Sequence, residues 1–178
     1  MPEIDGFATQ LLDEARRFLE KAGENAGQAR EAYLHAAICI GFSAFEAHIN
    51  SIAEETAEWS DVSLLDKSVL LEQELRLRDG EYSLGGLKMF RLHERVEFVL
   101  RRFSQEHINK SEKYWSALMK SIELRNDLTH PKSLHTIEIE DVERALQSII
   151  DTLNVVYQGV YKLPYPAYRR GLQSKMSF

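Results

Sequence analysis

The chain has 178 residues, 44% of them hydrophobic and 28% charged, with a formal net charge of −6. That is long enough for one domain with its own core and too apolar for an intrinsically disordered chain. The net acidity excludes a protein that coats nucleic acid through bulk phosphate neutralisation. The single cysteine, Cys39, excludes an internal disulfide and suits a reducing compartment.

The N-terminal stretch "MPEIDGFATQ" lacks the basic-then-apolar order of a secretory signal. No uninterrupted apolar run approaches the roughly 20 residues of a membrane helix, so a soluble, cytoplasmic chain is expected. Residues 4–23 place Ile4, Phe7, Leu11, Leu12, Ala15, Phe18 and Leu19 at three- and four-residue spacing, one stripe of an amphipathic helix. "GENAG" breaks it with two glycines. A longer helix follows from about Gln28 to Trp59, and its centre, "YLHAAICIGFSAFEAHINSIA", is apolar on more than one face, as a buried central helix would be.

Character changes at "LEQELRLRDGEYSLGG". Leu75 and Leu77 precede Asp79-Gly80, and Tyr82 and Leu84 follow it, the alternation of a hairpin turned by Asp-Gly, at about 74–85. Helical spacing resumes in "LKMFRLHERVEFVLRRF", with Phe90, Val96, Leu100 and Phe103 as core candidates. Another helix covers roughly 111–130 and stops at Pro131. The last runs from about Ile139 to Tyr161 with Val142, Leu146, Ile149, Ile150, Leu153, Val156 and Val160 on its apolar face. The expected fold is all-α: one domain, residues 1–163, a bundle of about five helices with a small inserted β-hairpin, and a tail over 164–178.

Charge is uneven along the chain. Residues 1–60 carry eleven acids against four bases, whereas residues 88–132 carry ten Lys/Arg against six acids, with His93, His107 and His130 besides. A local patch could meet phosphates that the rest of the surface repels, or the basic residues could be solvated helix faces. Neither GxxxxGK[ST] nor GxGxxG is present, "HERVE" lacks the second histidine of HExxH, and no Cys/His cluster suggests zinc. Cys39, in the apolar run "HAAICIGF", is expected to be an inert thiol.

The stretch "SIELRNDLTHPK" is the chemical focus. On a helix Asn126 and His130 are four residues apart and Asp127 and His130 three, so they share a face, and Arg125 lies one step round. Histidine moves protons near neutral pH, and arginine clamps a phosphate whose charge grows in a transition state. Cleaving RNA without a metal needs both. The spacing alone is unspecific, since Arg30 to His35, Arg101 to His107 and Arg102 to His107 also satisfy it. Asp127 pairing with a helix-terminal His130 is the bland alternative.

Context separates the matches. Only Arg125-Asn126-x-x-x-His130 has an amide after the arginine and a proline after the histidine, ending a penultimate helix. With "GFSAFEAHINSIAEE" on the second helix, residues 10–160 resemble the HEPN superfamily, helical bundles whose Arg-x4-6-His motif marks metal-independent endoribonucleases. The prokaryotic branch of toxin–antitoxin and phage-defence systems is the most similar. The resemblance implies that Arg125 stabilises the scissile phosphate, that His130 is general acid or base, and that Asn126 orients one of them. It implies no metal or other cofactor, RNA as substrate, and a homodimer across which two motifs meet. It also implies a restraining partner, an antitoxin or a nucleotidyltransferase-type protein.

Ser43, Glu46 and Asn50 form a polar stripe on the second helix. Glu46 would hold Arg125 or tune His130, with Asp127 in support. An interhelical polar seam or partial exposure is the alternative for all three stripe residues, and His35 and His48 read as structural or surface positions. The second reading of function is a non-catalytic module of the same fold, binding a nucleotide, RNA or a partner protein. The third is a helical protein with a chance motif.

Overall fold

A computed structural model describes residues 2–104, 110–132 and 136–178, with side chains from Asp5 onward. Its axis is α2 (Gly27–Ala57), which carries buried residues on several faces, from Leu34 and Ile38 through Phe42, Phe45 and Ile49 to Ile52. A helix apolar all round is stable only when other elements cover it. Helix α1 (Pro2–Glu24) lies along it, burying Ala8, Leu12, Ala15, Leu19 and Ala22, and α6 (Ile139–Tyr161) covers another side. By length and composition α2 alone, among the described residues, could cross a membrane, but 61% of its most apolar window is buried inside this bundle.

The small residues of α2 set the depth of packing. A Cβ on Gly41 would stand 2.4 Å from Leu146 Cδ2, so α6 approaches here only because the side chain is missing. Between α1 and α2 the chain turns in two residues, Asn25 and Ala26, and Gly27 takes φ 59°. Ile4, the first residue of the expected stripe, lies outside the described side chains. Phe7 is 56% exposed, and Ala8 rather than Phe7 is buried.

Six helices occur among the described residues, the addition being α3 (Leu64–Leu70). Its brevity hid it from periodicity, but its start is marked. Ser63 Oγ accepts from the Asp66 amide at 3.1 Å, and the Ser63 amide donates back to Asp66 Oδ2 at 3.0 Å. The hairpin follows as β1 (Gln73–Arg78) and β2 (Glu81–Leu87), antiparallel with Leu77 opposite Tyr82. Asp79 at φ 52° and Gly80 at φ 85° form the turn, as Asp-Gly indicates. Helix α4 (Leu92–Phe103) starts later than expected because β2 extends to Leu87. Phe90 therefore sits in the connection, half-buried, while Val96 and Leu100 enter the core.

Helix α5 (Lys113–Thr129) precedes α6, and every residue expected on the apolar face of α6 is buried. The C-terminal segment is docked. Tyr165 and Ala167 are buried, Arg170 pairs with Asp13 at 3.0 Å, and the Lys175 amide donates to Asp13 Oδ2 at 3.1 Å. Arg16, wholly buried beneath this segment, donates to the Ala167 carbonyl at 3.4 Å.

Candidate functional site

Helix α5 crosses α2 where Phe42 and Glu46 lie one turn apart, and Arg125 reaches both. Its guanidinium lies 5.6 Å from the centre of the Phe42 ring and makes an ion pair with Glu46. A second nitrogen donates to Asn126 Oδ1 at 3.2 Å. A flat cation with an aromatic ring beneath it and an acid beside it holds one orientation with fewer rotamers to lose on binding. The pair is half open, with 29% of the Arg125 side chain and 42% of the Glu46 side chain accessible, so a ligand can reach it.

Arg125, Asn126 and Glu46 line one side of a cleft of about 550 Å³. The connection from the hairpin into α4 also lines it through Met89, Phe90 and Arg91, as do Leu92 and His93 at the start of α4. Phe42, Met119 and Ile122 add apolar lining, and Glu123 a second carboxylate. The cleft thus sets cationic groups beside an apolar surface, the combination that a phosphate attached to a flat ring requires.

The structure brings Arg125, Asn126 and Glu46 together and leaves Asp127 and His130 apart from them. Asp127 and His130 are exposed and lie outside the cleft lining. His130 ends α5: its φ of −132° leaves the helical region, its amide donates to the Asn126 carbonyl at 2.8 Å, and Pro131 follows without an amide. The imidazole therefore stands at the surface, on the end of a rigid helix.

The polar stripe on α2 divides three ways. Glu46 belongs to the cleft. Asn50 accepts from the buried Arg95 at 2.7 Å, and Arg95 also pairs with Glu72 at 3.1 Å and donates to the Leu70 carbonyl, which is the interhelical seam. Ser43 is exposed and donates back to the Cys39 carbonyl at 3.0 Å. Cys39 itself is exposed, a correction to its expected apolar setting, because it lies on the solvent side of α2 between the buried Ile38 and Phe42.

Part of the basic excess of residues 88–132 is neutralised by acids from elsewhere in the chain. Arg95 is consumed by the seam, and Arg102 binds Asp61 and Asp66 at 3.1 and 3.2 Å. Arg91 and Arg125 are the arginines that remain on the cleft. The histidines sort equally clearly. His48 is wholly buried, its Nε2 3.0 Å from the Tyr165 hydroxyl and its Nδ1 3.3 Å from Asp5. The hydrogen bond from His48 lowers the Asp5 pKa, and burial pushes the Tyr165 phenol up to about 12. His35 is exposed on α2, and His107 lies outside the described residues. His93 and Arg91 are site residues that sequence reasoning missed. "MFRLHER" carries them, yet only the folded hairpin turns that segment over α5.

No protein family, curated protein or solved structure matches the chain.

Proposed function

We propose that the protein is a metal-independent endoribonuclease of the HEPN type, acting as a homodimer and serving as a toxin or defence effector under the control of a partner protein. The observation that carries this reading is the oriented Arg125, clamped by Glu46 and Asn126 above Phe42, at the mouth of an amphipathic cleft.

The chemistry follows from RNA itself. A base removes the ribose 2′-hydroxyl proton, O2′ attacks the adjacent phosphorus, and the bond to O5′ breaks as an acid protonates the leaving oxygen. Products are a 2′,3′-cyclic phosphate and a 5′-hydroxyl, with no net proton consumed. Arg125 stabilises the crowded, doubly charged phosphorane, and Glu46 keeps its fork aimed. His130 transfers one proton. Because it stands outside its own cleft on the end of α5, it serves the cleft of a second copy, as a twofold dimer permits.

Incubation of a mixed RNA pool in EDTA tests this, comparing wild type with His130→Ala prepared identically. Cyclic-phosphate ends from wild type alone are expected. Equal cleavage by both preparations, or none by either, contradicts the reading.

One observation favours a second reading. Arg125 is already paired with Glu46, and no imidazole of its own helix enters the cleft, as suits a module that binds a nucleotide, RNA or a partner protein without cutting. Tight RNA binding without cleavage, lost in Arg125→Ala, is the expected signature of that alternative.

A further inference from the structure

Cleavage through a cyclic phosphate needs two proton transfers on opposite sides of the phosphorus, and a single imidazole does not serve both in one displacement. Residues 125–130 contribute one histidine, which lies outside the cleft. The cleft nonetheless contains an imidazole. His93 is half-buried and lines the same cleft as Arg125, Asn126 and Glu46.

Three features separate His93 from a structural histidine. Among the described residues no hydrogen-bond donor or acceptor engages its ring, whereas the buried His48 is held by Tyr165 and Asp5. Its position is fixed by the backbone: it is the second residue of α4, whose start is anchored by the Arg91 amide donating to Glu94 at 3.0 Å. Its neighbours also match the substrate. Arg91 adds a second guanidinium to the cleft lining, and Phe90, Met89 and Ile122 offer apolar surface on which an unstacked base would lie.

Resting on the nuclease reading, we propose that His93 is a catalytic residue, the proton-transfer group of the cleft's own chain. It would work opposite His130 of a second copy, on an unpaired nucleotide seated between Arg91 and Arg125. One imidazole takes the 2′-hydroxyl proton as the O2′–P bond forms. The other gives a proton to O5′ as the P–O5′ bond breaks, and exchange with water resets both. The charged groups that line the cleft with His93 are Arg91 from the hairpin exit, Glu46 from α2, and Glu123 and Arg125 from α5, two acids and two guanidinium groups.

The test compares wild type, His93→Ala, His93→Gln and Arg125→Ala on a short single-stranded RNA in EDTA. Binding is read separately on a 2′-O-methyl RNA, which cannot be cut. Both His93 variants are expected to cleave at least about a hundredfold more slowly while binding the 2′-O-methyl strand within about threefold of wild type. The bell-shaped pH profile should lose one limb, and added imidazole should restore part of the His93→Ala rate. Wild-type cleavage that survives in both variants within about threefold overturns the role of His93 and leaves the nuclease reading standing. A wild type that binds the 2′-O-methyl strand but never cuts RNA overturns the nuclease reading and the role of His93 with it. Loss of binding in both His93 variants, with the melting temperature kept, overturns proton transfer in favour of a binding role.

Discussion

At the scale of single residues, the site depends on the way Arg125 is held rather than on its charge. An exposed ion pair contributes about 0–1 kcal/mol to stability, so Glu46 and Arg125 are not kept together for the sake of the fold. Arg125→Lys retains the positive charge and discards the planar fork and its stacking on Phe42. It is expected to slow RNA cleavage about a hundredfold, and Glu46→Gln by a smaller factor of about ten. Neither should move the unfolding free energy by more than about 1 kcal/mol. Rates from single-turnover cleavage, set beside urea unfolding, check this. Unchanged cleavage in Arg125→Lys would reduce the arginine to a point charge and remove the case for an oriented clamp.

At the scale of elements, how much could be read from sequence depends on length and regularity. The apolar face of α6 repeats over 23 residues, enough periods to define one side of a helix, and each expected position is buried. The hairpin was legible from two residues, Asp79 and Gly80, since their backbone angles are ones few other pairs adopt readily. Helix α3 has seven residues and spans too few turns to show a period. The partnership of Arg125 with Glu46 was expected from the resemblance to HEPN proteins rather than from any local pattern, and the structure pairs the two. His93 and Arg91 were not legible, because their place over α5 is set by the hairpin's exit, which no local pattern encodes. Cys39 was misread for a related reason: an apolar run on a helix has an outer side too.

Packing between elements turns on Gly41, where α6 lies against the α2 backbone. Gly41→Ala pushes a methyl group into Leu146, and the gain in helix propensity, about 1 kcal/mol, does not offset the overlap. A net loss of about 1–3 kcal/mol is expected in chemical unfolding, the range of overpacked cores. A variant as stable as wild type would show that Leu146 moves aside without cost.

For the whole molecule, fold and site make different demands. The bundle is closed by a docked C-terminal segment that ties Ala167 and Arg170 to α1 and Tyr165 to the buried His48 of α2. The cleft lies elsewhere, between α2, α5 and the hairpin exit, and remains open to solvent. On the proposed nuclease reading two chains are needed, since His130 is exposed on a helix end and outside its own cleft. Mixing two inactive proteins tests that claim most directly. Arg125→Ala and His130→Ala, each silent alone, should after subunit exchange regain about a quarter of the wild-type rate. That figure follows because half the dimers are mixed and each mixed dimer carries one complete site. A mixture as silent as its components, beside an active wild type whose subunits exchange, would contradict a site assembled from two copies.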